Sequence, residues 1–99
     1  MIILDEVKVK KLKVGDMVAY KERSGDLQHF LFRAKVIGIY PRFLLLSCAA
    51  TRNPLKEYED CDRFFNTCFN FGDAGKPHSG NILYDYNSVF DAFYNYGNI

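Results

Sequence analysis

The sequence predicts a mainly β fold: a small barrel or strongly bent antiparallel sheet of about five strands, with a short C-terminal helix. Three observations lead there. Apolar residues alternate with polar ones over short runs, turn residues separate the runs, and a stripe at helical spacing occurs only near the end. With 99 residues the chain has length for one core, since a chain of this size removes only roughly 60 to 70% of its unfolded surface from water. The expected organisation is a single domain over 1–99, with a β core over 7–71, a loop over 72–81 and a helical segment over 84–97.

The first strand is expected where Val7 and Val9 alternate with Lys8 and Lys10. The apolar positions then shift to Leu12 and Val14, which requires a turn or bulge near Lys11 if one face is to stay buried. Val14-Gly15-Asp16 supplies a turn before a second strand, Met17-Val18-Ala19-Tyr20, and Glu22 to Gln28 is a polar loop. Phe30 to Tyr40 is the longest strand, with Phe30, Phe32, Ala34 and Val36 on one face and Leu31, Arg33 and Lys35 on the other. Beyond Val36 its apolar residues are Ile37 and Ile39 around Gly38, a phase shift that marks a bend. Pro41 suits a tight turn, and Phe43 to Cys48 returns as a buried strand.

Ala49 to Pro54 reads as a loop and Lys56 to Cys61 as an edge strand kept soluble by its charges. Phe65, Phe69 and Asp62 could share a helical face, but Asn66, Thr67 and Asn70 favour strand or irregular structure, so residues 62–71 are read as strand with helix as the alternative. Gly72 to Asn81 is a loop by composition. Ser88-Val89-Phe90-Asp91 matches a capping box, Val89, Phe90, Phe93 and Tyr94 form a helical stripe, and Gly97 stands where a helix would stop. A two-turn helix plugging one end of the sheet follows from these signals.

Lys35-Val36-Ile37-Gly38-Ile39-Tyr40-Pro41-Arg42-Phe43-Leu44-Leu45-Leu46, preceded by Val14-Gly15-Asp16-Met17-Val18, resembles the hairpin core of small SH3-like β-barrel proteins of phages and mobile elements of Gram-positive bacteria. The resemblance covers residues 7–71. It implies an SH3-like barrel and a phage-like setting, and it transfers no active site. The acidic, aromatic C-terminal helix lies outside the pattern.

Composition narrows the function. The net charge is +1, but residues 1–57 hold eleven Lys/Arg against six Asp/Glu and residues 58–99 hold two against six. Such opposed halves do not create the strongly basic field that non-specific nucleic-acid binding requires. Cys48, Cys61 and Cys68 are odd in number and show no two-residue spacing, so they read as free thiols of a reducing, cytoplasmic compartment. The start lacks a basic n-region, and the longest apolar run, Phe43 to Leu46, is far below the roughly 20 residues of a membrane span. Neither export nor a membrane partner is expected.

His29, His78 and the three cysteines are too scattered to predict a metal site. Glu57, Glu59, Asp60 and Asp62 lack the glycine and spacing of a calcium loop and read as a solvated edge. Asp16, Asp73, Asp85 and Asp91 read as turn and cap residues. No catalytic residue, cofactor or metal is therefore expected, and the chain reads as a non-enzymatic interaction module.

Two surfaces compete for the binding role. Tyr84, Tyr86, Tyr94 and Tyr96, set among Asp85 and Asp91, exceed what a short helix needs for one buried stripe and suit a protein interface. On that reading Tyr84, Tyr86, Asp91, Tyr94 and Tyr96 bind a protein partner, a host protein that a phage or mobile-element inhibitor would modulate. The alternative is a nucleic-acid-binding barrel that uses Lys8, Lys10, Lys11, Lys13, Arg33, Lys35 and Arg42. The oligomeric state is left open.

Overall fold

The computed structural model describes residues 1–23, 25, 27, 30–76 and 80–97, apart from the side chains of 92–97. Five strands, β1 (Met17–Lys21), β2 (Phe32–Ile39), β3 (Phe43–Ala49), β4 (Phe64–Asn70) and β5 (Ile82–Asp85), form one antiparallel sheet in the order β4-β3-β2-β1-β5. Helix α1 (Glu6–Lys10) precedes them and helix α2 (Tyr86–Gly97) follows. The mainly β expectation holds, and residues 62–71 contain a strand as read.

The alternating pattern of β2 explains how the sheet is built. Phe32, Ala34 and Val36 are buried on the inner face, where they join Val18, Tyr20, Leu44, Leu46, Cys48, Phe69 and Leu83. Val36 pairs with Leu46 but Gly38 pairs with Leu45, so Ile37 is one extra residue and the strand bends there. The Tyr20 hydroxyl lies against Thr67. On a flat sheet β1 and β4 would stand roughly 14 Å apart, three strand spacings of about 4.8 Å, which a tyrosine cannot reach. The sheet must therefore curl, so that its two flanks share one core.

Two glycines have specific work. Gly15 takes φ 99° in the turn before β1, where Asp16 Oδ2 accepts from the Lys13 N–H at 2.9 Å. At Gly38 a Cβ would stand 2.7 Å from the Tyr40 ring and 3.3 Å from Leu45 Cβ.

Four local expectations are corrected. Residues 7–10 are helix, not strand: Asp5 caps α1 by accepting from the Lys8 N–H at 2.9 Å, and Lys10 pairs with Glu6 one turn away at 2.8 Å. Val9 is fully buried while Val7 is 61% exposed, so the two valines share no face. Lys56 to Cys61 is a loop with a 3-10 helix at Tyr58–Asp60, not an edge strand. Residues 82–85 form β5, which places Tyr84 and Asp85 in the sheet rather than in the helical segment. Helix α2 then begins two residues before Ser88, whose N–H donates to Asp85 Oδ2 at 3.1 Å. It lies on the outer face of β1 and β5, where Val89 and Phe90 pack with Ala19 and Tyr84, instead of plugging one end.

Candidate functional site

Helix α2 covers the outer face at β1 and β5, the 54–60 segment lies over β2 and β3, and Arg33 stands where the two covers meet. Arg33 projects from β2 onto the outer face yet is only 3% exposed. Its guanidinium stacks 4.1 Å from the Phe90 ring centroid and donates to the Tyr86 hydroxyl, to the Pro54 carbonyl at 2.7 Å and to Glu57 Oε2 at 3.4 Å. One side chain thus ties α2 and the 54–60 segment to the sheet. Burial pushes the Tyr86 hydroxyl above its ordinary pKa, and the adjacent Arg33 opposes that rise only in part.

This arrangement redistributes the residues expected to bind. Tyr84 is buried beneath α2 and Tyr86 is engaged with Arg33, so neither forms a free tyrosine surface. Asp91 is exposed, while the side chains of Tyr94 and Tyr96, with His29 and His78, lie outside the described residues.

Of the basic residues, Lys8, Lys10, Lys11, Lys13 and Arg42 are exposed. They are brought to one end of the sheet, because the 3-10 turn Phe71–Asp73 packs on α1 and the Phe71 N–H donates to the Arg42 carbonyl at 3.0 Å. Arg33 is not among them, which corrects the expectation that it projects into solvent. Lys35 is half-buried, its Nζ held 4.8 Å from the Tyr58 ring centroid.

The end of the outer face that neither α2 nor the 54–60 segment covers carries an aromatic pair that sequence reasoning did not bring together. Tyr40 and Phe43 flank the β2–β3 turn and stack, with centroids 4.8 Å apart and planes at 20°. The Tyr40 ring lies across Gly38, beside Leu45, and is 46% exposed; Ile37 next to it is 39% exposed. The signal was available in Tyr40-Pro41-Arg42-Phe43, where two aromatics bracket a tight turn. Further along, Phe64 packs on Tyr58, whose hydroxyl donates to Ser47 Oγ at 3.0 Å. At the opposite end of β2, Phe30, Phe32, Ala50 and Phe65 line a cavity of about 210 Å³, with Arg52 stacked on Phe30 at its rim.

The chemistry of the thiols is quiet. Burial, with Glu22 nearby, pushes the Cys48 thiol up to about 12, so it stays protonated at neutral pH. Cys61 Sγ donates to the Glu57 carbonyl at 3.3 Å, and Cys68 is exposed on β4. Among the described residues no group of three or more His, Cys, Asp or Glu could hold a metal ion, and no helix is long and apolar enough to cross a membrane. What these features define is a small β-rich domain with an apolar, aromatic outer patch and, adjoining it at Arg42, a basic end. Compared with known proteins, the chain matches no family model, no curated protein and no solved structure.

Proposed function

We propose that this chain is a non-enzymatic protein-binding module that docks its partner on the uncovered outer face around Tyr40, Phe43 and Leu45. The observation that supports it is the unevenly covered outer face: α2 shields β1 and β5 and the 54–60 segment lies over Arg33, Lys35 and Ser47, while Tyr40, stacked on the half-buried Phe43, and Ile37 are exposed. Scattered apolar residues on a surface are ordinary, but a contiguous aromatic patch with a cation beside it has the composition of an interface core and rim. Arg42, exposed in the same turn, suits a partner that presents an apolar side chain with an acidic neighbour. In the phage or mobile-element setting that the SH3-like resemblance implies, that partner is a host protein which the module modulates or inhibits.

The test is capture from a nuclease-treated host lysate by the immobilised chain and, in parallel, by its Tyr40→Asp/Phe43→Ser variant. One protein retained by the native chain and lost with the variant supports the reading. Equal retention by both, or none by either, overturns it.

One observation favours a second reading, nucleic-acid binding: Lys8, Lys10, Lys11, Lys13 and Arg42 are exposed at one end of the sheet. It requires that the chain retain nucleic acid without nuclease and release it steeply as salt rises.

A further inference from the structure

The two edges of the sheet are treated differently. On the outer side of β5 the chain covers itself: Ile3 bridges Tyr84, the Leu4 N–H donates to the Leu83 carbonyl at 2.9 Å, and the Asp85 N–H donates to the Ile2 carbonyl at 2.7 Å. On the outer side of β4 no described segment pairs. Edge strands are ordinarily protected by lysine, proline, a bulge or shortness. Strand β4, Phe64-Phe65-Asn66-Thr67-Cys68-Phe69-Asn70, has seven residues with no charge and no proline, and it pairs with β3 without a register shift.

The hydrogen bonds just beyond each end of the β3–β4 ladder show which groups face outward. The Phe71 N–H donates to the Arg42 carbonyl, and the Ala50 N–H donates to the Arg63 carbonyl. Both are directly opposed pairs in the β3–β4 register, so residues of the same parity, Phe65, Thr67 and Phe69, direct their backbone groups at β3. The backbone N–H and C=O groups of Phe64, Asn66, Cys68 and Asn70 therefore point away from the sheet, and all four residues are exposed.

We infer that two copies of this chain pair antiparallel through β4, about a two-fold axis at Thr67, to make one continuous ten-stranded sheet. The occupant follows from the strand itself: it carries no charge, so a second copy of it meets no like-charge repulsion, and an antiparallel copy centred on Thr67 offers every outward backbone group a partner. With Thr67 opposite its own copy, all seven residues pair. Asn66 faces Cys68 and Phe64 faces Asn70 through reciprocal backbone hydrogen bonds, while Phe65 and Phe69, the latter already buried in its own core, hold the intervening positions. No like charges meet along the strand. At each end Arg63 of one copy reaches the turn that carries Asp73 of the other, an opposite charge. The dimer leaves the Tyr40/Phe43 patch exposed on each copy, so it does not depend on the docking surface proposed above and presents that surface twice.

Sedimentation velocity of the full chain over low to high micromolar concentration, with thiols reduced, tests the inference. The apparent mass should rise from one chain to two. In amide hydrogen exchange, protection of Asn66, Cys68 and Asn70 should grow with concentration while Phe65, Thr67 and Phe69 stay constant. Asn66→Lys/Cys68→Lys sets lysines against each other across the axis and should return the mass to one chain with unchanged circular dichroism and melting. A native chain that stays monomeric throughout overturns the inference, as does a dimer whose Asn66 and Cys68 amides gain no protection. Should the double variant fail to fold, the exchange of the native chain decides alone.

Discussion

The Arg33 guanidinium lies 4.1 Å from the centre of the Phe90 ring, and it is the one buried charged group among the described residues. Its burial is tolerated because Tyr86, Pro54 and Glu57 take up its outward donors; Nε alone has no hydrogen-bond partner. The pair joins β2 to α2, and the acceptors join both to the 54–60 segment.

Removing this joint should cost more than any single contact in it. Arg33→Ala is expected to destabilise the domain by about 2 to 4 kcal/mol, through lost packing on Phe90 and three acceptors left without their donor. Glu57→Gln, at a half-exposed acceptor, should cost under about 1 kcal/mol. Urea unfolding of both variants checks the order. Near-equal losses would mean that the ion pair, rather than the stacking and the Pro54 carbonyl, holds the helix.

Alkali should loosen the core. Burial raises both the Cys48 thiol and the Tyr20 hydroxyl to about 12. Each folded value stands above its unfolded one, so the stabilisation is complete below the unfolded pKa and is lost as pH rises toward the folded one. Stability is thus expected to fall from near pH 9, where unfolded cysteine ionises, and more steeply from near pH 10, where unfolded tyrosine joins. The Cys48 contribution is at most about 1.4 kcal/mol per pH unit. Urea midpoints from pH 7 to 11 measure the slope, and Cys48→Ala should delay its onset to near pH 10.

Gly38 controls the Tyr40 ring without being part of the exposed patch. A methyl group at Gly38 would stand 2.7 Å from that ring, so Gly38→Ala should push Tyr40 off Phe43 at a cost of about 1 to 2 kcal/mol and weaken capture of the partner. Adding Tyr40→Ala should recover stability but not capture. Additive losses in that double-mutant cycle would show that ring and glycine do not compete for the same space.

The basic end should be separable from everything else. Lys8→Glu, Lys11→Glu and Lys13→Glu together replace exposed side chains and should shift stability by less than about 1 kcal/mol, leaving protein capture intact while removing any salt-sensitive retention of nucleic acid. Loss of protein capture in this variant would move the docking surface to that end.

The strands were legible where local pattern and burial agree. Phe32, Ala34 and Val36 alternate because one face of β2 is core, and the phase shift at Gly38 is the bulge seen in the β2–β3 register. The N-terminal segment misled because Val-Lys-Val-Lys satisfies a two-residue period as readily as a capped helix turn in which only Val9 needs burial. The charged stretch Lys56 to Cys61 looked like a guarded edge. The real edge is β4, and nothing in its own residues marks it as outermost.

Sequence alone therefore determined the class of fold, the turns before β1 and between β2 and β3, and which face of β2 is apolar, since these rest on interactions between near neighbours in the chain. Tertiary structure alone decided what became of the functional candidates. It placed Arg33 and Tyr86 in one buried contact, put Tyr84 beneath a helix, left Tyr40 exposed against a half-buried Phe43 and chose the open edge. These outcomes depend on which distant segments meet once the sheet curls. A period of two along a strand tells the two faces apart but cannot say which face, or which edge, another part of the chain will cover.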